Sequence, residues 1–168
     1  NDKCIEFNED EFIMQEFVSG INVSSSILST GTNAKTIISS RLLTEKELKK
    51  NNSFRYIGNI VPLTKESIMS DVENIDEILE EMKITSESLA KKFRLLGSNG
   101  VDYILNENGL YVIEINPRIQ GTFECVEQSL GINMLEAHIN ACRGKIIEVP
   151  EPKFYSYKKI VYSPNRNK

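Results

Sequence analysis

Hydrophobic and polar positions change period along the chain, and the changes divide it into predicted elements. From Phe12 to Leu63 the apolar residues come in short β-branched or aromatic runs with partial alternation, the pattern of strands. Phe12–Val18 reads as a strand ending at Ser19-Gly20. Asn22–Ser29 and Ala34–Leu43 read as a hairpin joined by T-G-T-N, with serines lining one side of an antiparallel meander. Thr44 and Glu47 match a capping box and predict a brief helix. Phe54–Leu63 returns to strand composition, with Gly58 and Pro62 marking a bulge or a sheet edge.

Between Lys65 and Leu96 apolar residues recur at three and four, from Ile68 through Met82 to Phe93. This predicts one long helix or two end to end, with a break or cap at Thr85-Ser86 and a stop at Gly97. Val101–Leu105 and Leu110–Asn116 flank N-E-N-G as a second hairpin. Thr122–Leu130 and Asn133–Cys142 read as helices ended by Gly131 and Gly144, and Tyr155–Tyr162 as a closing strand. The order predicts an α+β fold, an antiparallel sheet with packed helices, in one domain spanning residues 1–168.

Composition narrows the classes of function. Twenty basic residues against 24 acidic ones give a net charge of -4; the lysines are dispersed, which argues against a non-specific grip on nucleic acid. No apolar run is long enough to span a membrane, and no signal peptide opens the chain. Cys4, Cys125 and Cys142 are odd in number and widely spaced, which suits a reducing cytoplasm. The sequence opens at Asn1 without an initiator methionine, so a piece of a longer protein is expected.

The segment that combines strand pattern with chemistry is V-I-E-I-N-P-R-I-Q-G-T-F-E, from Val112 to Glu124. In an extended strand Glu114 and Asn116 share one face and Ile113 and Ile115 the other. Pro117 ends regular pairing and turns Arg118 and Gln120 into a loop. A carboxylate and an amide oxygen suit a hard divalent cation, and the planar fork of Arg118 suits a phosphoryl or carboxylate group. The simpler alternative is the wet face of an antiparallel strand. Asp102, on the neighbouring hairpin strand, is placed to meet Glu114 across the ladder.

The stretch G-V-D-Y-I-L-N-E-N-G-L-Y-V-I-E-I-N-P-R resembles the metal-binding hairpin of ATP-grasp enzymes, which join a carboxylate to an amine, a thiol or a similar nucleophile. The resemblance implies magnesium (or manganese) held by Asp102, Glu114 and Asn116 against ATP phosphates, with Arg118 as the catalytic cation at the transferred phosphoryl group. M-Q-E-F-V-S-G-I-N resembles the family's hinge segment. It implies that Gln15, Glu16 and Val18 receive adenine, the last two through the Glu16 carbonyl and the Val18 amide, and that Asn22 takes the ribose position usually held by glutamate. Arg41 and Lys35 are candidates for a phosphate contact.

The resemblance covers the C-terminal part of an ATP-grasp domain, with residues 1–22 as the hinge and 98–124 as the metal and phosphate hairpin and loop. F-R-Y-I-G-N-I-V-P-L and N-P-R-I-Q-G-T-F-E look most like ATP-dependent carboligases of archaeal type. It implies small-molecule carboxylate and amine substrates. It also implies an N-terminal portion, or a partner in a homo-oligomer, that supplies a lysine and a glycine-rich loop. The alternatives are a nucleotide-binding module without turnover and a structural module. His138, Cys125 and the acids Glu124 and Glu127 read as structural, although the two acids are also placed to receive an amine.

Overall fold

A computed structural model of the chain describes residues 15–45, 54–68 and 74–162. Its elements are β1 (Ile21–Thr30), β2 (Ala34–Thr44), β3 (Tyr56–Val61), α1 (Lys65–Ile68), α2 (Ile75–Lys92), β4 (Leu96–Asn106), β5 (Gly109–Asn116), α3 (Phe123–Leu130), α4 (Met134–Cys142) and β6 (Ser156–Lys159). The six strands form one sheet in the order β5-β4-β1-β2-β3-β6, and every pair is antiparallel. The expected α+β class and antiparallel sheet are both present.

Register explains the two layers of core. Val23 of β1 faces Arg41 and Tyr103, while its neighbour Ser24 faces Ser40 and Asp102. Directly paired residues share a face, so one face carries Val23, Arg41 and Tyr103 and the other Ser24, Ser40 and Asp102. On the first face Val23, Val101 and Tyr103 pack with Met82 and Ala90 of α2. On the second, Leu28 and Val61 pack with Val126 and Leu130 of α3 and Ala137 and Ala141 of α4. Cys125 is buried in this layer, as expected of a small packing residue. Helices α3 and α4 cover the Leu28 end of that face, and at the Ser24 end, which is also buried, Gln120 of the loop after β5 lies over the sheet.

Several elements differ from the sequence expectation. Residues 15–19 run without strand pairing, and the start of the expected strand at Phe12 lies outside the described residues. Thr44 closes β2, and residues 46–50 of the short helix expected after it also lie outside. The break in the long helical stretch falls between α1 and α2. Thr85 and Ser86 lie within α2, where Ser86 is buried and its hydroxyl bonds that of Tyr103, so a buried partner removes the need for a cap. The helix stops before Gly97: Arg94 takes the left-handed conformation (φ 51°), with Leu95 N–H donating to Ala90 O and Arg94 N–H to Lys91 O, the paired bonds of a Schellman motif.

β4 therefore begins at Leu96, five residues earlier than expected, and β6 is shorter than predicted. Gly58 has φ 151°, and a Cβ there would lie 1.9 Å from Lys158 O. It permits the close approach of β6, beside an irregularity between Leu43 and Thr44 in the β2–β3 ladder.

Candidate active site

The part of the second face that the helices leave uncovered carries the polar groups. Asp102 of β4 and Glu114 of β5 are direct partners in the ladder and lie side by side on that face. Asn116, the last residue of β5, is buried, and its Nδ2 donates to Asp102 Oδ2 at 2.9 Å. Beyond it the chain turns tightly about Pro117, with Arg118 N–H donating to Asn116 O at 2.8 Å. This turn carries Arg118 into a loop over the sheet, where it is exposed and one guanidinium N–H reaches Ile119 O at 3.3 Å.

Two groups that the sequence reading left unassigned complete the arrangement. Ser24 Oγ donates to Asp102 Oδ1 at 2.6 Å. Gln120 Nε2 donates to Ser24 Oγ at 2.9 Å, and Gln120 Oε1 accepts from Ser26 Oγ at 3.1 Å. The signal was present in N-V-S-S-S-I-L-S: Asn22, Ser24 and Ser26 alternate as one polar stripe, and Leu28 marks where the helices begin to cover it. Burial pushes the Asp102 carboxyl above its ordinary value, and neighbouring Glu114 adds to the rise; hydrogen bonds from Ser24 and Asn116 and the Arg118 charge oppose it.

The donor set fits a hard cation. It offers two carboxylates and an amide; Glu114 makes no ion pair with any described residue, and Asn116 spends its nitrogen on Asp102, leaving its side-chain oxygen for a ligand. Two adjacent carboxylates repel, and a divalent cation between them would relieve both that repulsion and the buried charge. Among the described residues no group of three or more His, Cys, Asp or Glu side chains is arranged to hold a metal.

Asp102, Asn116, Arg118 and Gln120 line a cavity of about 280 Å³ that continues to Leu42 of β2 and Tyr56 of β3. A second cleft, of about 550 Å³, is lined by Gln15, Glu16, Val18 and Asn22 together with Ile104 and Tyr111. Asn22 and Asp102 share a sheet face through their register with Ile104 and Ser24, so the two cavities open on the same side.

Arg41 is not brought to either. It lies on the α2 face, buried, with Nη1 donating to Ser67 O at 2.5 Å and Ile68 O at 2.9 Å; it ties the sheet to α1. Lys35 is exposed, paired with Leu28 towards the hairpin end. His138 accepts the Ser98 N–H at Nδ1 (2.9 Å) and so links α4 to β4. Glu124 pairs with Lys158 at 2.8 Å, and Glu127 accepts the Met134 N–H.

Residues 1–122 match the family model of the ATP-grasp domain. The chain belongs to the ATP-grasp family. Among curated relatives it is 30% identical over 111 residues to an uncharacterized protein of Methanocaldococcus jannaschii, covering 66% of this chain and 25% of that one. To tyramine–L-glutamate ligase of the same organism it is 31% identical over 117 residues, 68% of this chain and 31% of the ligase. Against the large chain of carbamoyl phosphate synthase from Helicobacter pylori it is 31% identical over 87 residues, covering 51% of this chain and 8% of that one. The chain thus spans no more than about a third of these relatives.

The ATP-grasp fold recurs in solved structures. Biotin carboxylase from Campylobacter jejuni, in complex with β,γ-ATP, superposes with a TM-score of 0.67 at 15% identity, over 85% of this chain and 30% of the carboxylase. N5-carboxyaminoimidazole ribonucleotide synthetase from Thermus thermophilus gives 0.67 at 12%, over 84% and 36%.

Proposed function

We propose that this chain is the nucleotide- and metal-binding part of an ATP-dependent ligase that activates a carboxylate as an acyl-phosphate. The observation that carries the reading is the register match of Asp102 with Glu114, with Asn116 and Arg118 at the end of the same hairpin. Asp102, Glu114 and Asn116 would hold magnesium or manganese, which supplies charge neutralisation for the phosphates of ATP. Gln15, Glu16 and Val18 receive adenine in the second cleft, and Asn22 offers an uncharged amide to the ribose. Arg41 takes no part in this assignment, since its guanidinium serves α1 on the other face.

In the proposed reaction a carboxylate oxygen attacks the γ-phosphorus, the bond from that phosphorus to its bridging oxygen breaks, and ADP leaves. An amine then attacks the acyl carbon, phosphate departs with the bonding pair, and the nitrogen gives up a proton. Arg118 steadies the phosphoryl oxygens through its fork, the kind of positioned cation on which such transfers depend. Family members close a lysine and a glycine-rich loop over the phosphates, and these are proposed to come from outside the present residues. Cytoplasmic location and small-molecule carboxylate and amine substrates complete the proposal.

A second reading, nucleotide binding without turnover, is favoured by one observation: the cleft wall carries Asn22 where the family has a carboxylate. Magnesium-dependent ATP titration of the full-length protein tests the first half of the proposal, with binding expected for wild type and lost in Glu114→Ala. Single-turnover ADP formation separates the two readings. Absence of magnesium-dependent binding overturns both.

A further inference from the structure

The cavity beside Asp102 crosses the sheet. From β4 through β1 and β2 to β3 is three inter-strand spacings, about 14 Å, with the cation residues at one end and Tyr56 at the other. Tyr56 is held from three sides. Its hydroxyl donates to Asn59 Oδ1 at 2.5 Å, with a weaker contact to Gly121 O at 3.4 Å. A Cβ on Gly121 would stand 3.5 Å from the ring, so the loop backbone lies against it. Its own carbonyl accepts the Tyr162 hydroxyl at 2.9 Å. Burial raises the phenol above its ordinary pKa, with Cys125, Glu124 and Asp102 adding to the effect, so it remains a donor to Asn59, which is fully buried.

A ring fixed in this way is a wall. Building on the ligase reading above, we propose that Tyr56 is the specificity-determining residue for the carboxylate substrate: the reacting carboxyl lies toward Arg118 and its body against Leu42 and the Tyr56 ring. The cavity is about 280 Å³, and the terminal phosphoryl group takes part of it. The ring at its end therefore favours a short-chain carboxylate whose body presents apolar surface over a bulky one.

The test uses the full-length protein with magnesium and a non-hydrolysable ATP analogue, and titrates acetate, propionate, butyrate and benzoate by calorimetry. Wild type is expected to bind the short acids at least tenfold more tightly than benzoate. Tyr56→Ala brings the two within about threefold, and Tyr56→Phe, which keeps the ring, retains the preference. Tyr56→Leu, which also opens the end of the cavity with less loss of packing, decides the matter if the alanine variant does not fold. A protein that binds the nucleotide analogue but none of the acids overturns this inference alone, as does unchanged discrimination in both Tyr56→Ala and Tyr56→Leu. A protein that binds no magnesium nucleotide overturns the ligase reading and this inference with it.

Discussion

Gly100 shows how one missing side chain shapes the site. A Cβ there would fall 1.8 Å from Gln120 Cδ, so the glycine makes the space in which Gln120 reaches Ser24 and approaches Asp102. The clash is with the end of a flexible side chain, and Gly100→Ala should therefore leave the fold intact and swing Gln120 away. Losing one such hydrogen bond costs about 0.5–1.5 kcal/mol, so unfolding stability should fall by about that much, and magnesium-dependent ATP affinity in the full-length protein should weaken as Asp102 loses the Ser24–Gln120 chain that orients it. Asp102 gives a pH prediction. Its folded-state pKa is raised above the ordinary 3.8, chiefly by burial, so its stabilising contribution is fully present below that value and is lost as pH rises through the raised pKa. Without divalent metal, Asp102→Asn should therefore gain melting temperature relative to wild type as pH increases towards neutrality. With magnesium-ATP the order should reverse, because only the carboxylate repays its burial by binding the cation.

Between elements, the sheet separates stability from chemistry. Met82 and Ala90 of α2 are fully buried against the face opposite the site, so Met82→Ala should cost about 2–5 kcal/mol in denaturant unfolding while leaving nucleotide affinity unchanged wherever the protein is folded. The sequence made the hairpins legible because their turns are local: T-G-T-N and N-E-N-G announce themselves within four residues, and strand alternation then places Asp102 beside Glu114. Helix ends were less legible. Arg94 adopts the left-handed C-terminal conformation usually given to glycine, and Ser86, a capping residue by type, is instead buried and bonded to Tyr103 of β4, a partner that local sequence does not announce. Arg41 failed to join the site for a related reason. Its position on a strand was readable, but which face that strand turned to α1 depended on the register with β1, fixed only in the assembled sheet.

At the scale of the molecule, the candidate site stands at the border between the helix-covered and helix-free halves of one sheet face, with the second cleft on the same side. Binding and chemistry are proposed to fall to different parts of this surface. The proposed cation ligands sit on paired strands whose geometry the ladder fixes, whereas Arg118 projects from a loop, and its guanidinium bonds its neighbour's carbonyl at 3.3 Å. An exposed guanidinium contributes little to holding the fold, and in the proposed assignment ground-state ATP is held through its metal and adenine. The benefit of Arg118 should therefore be concentrated where charge shifts during phosphoryl transfer. In the full-length protein Arg118→Ala is expected to lower single-turnover ADP formation by about 10²–10³-fold, the usual scale for removing a positioned transition-state donor, while the Kd for magnesium-ATP rises by less than about threefold. Arg118→Lys, which restores charge without the bidentate fork, should recover only part of the rate. Parallel losses of affinity and rate in Arg118→Ala would instead place this residue among the ground-state ATP ligands, and full rescue by lysine would mean that charge alone, and not the fork, is what the loop delivers.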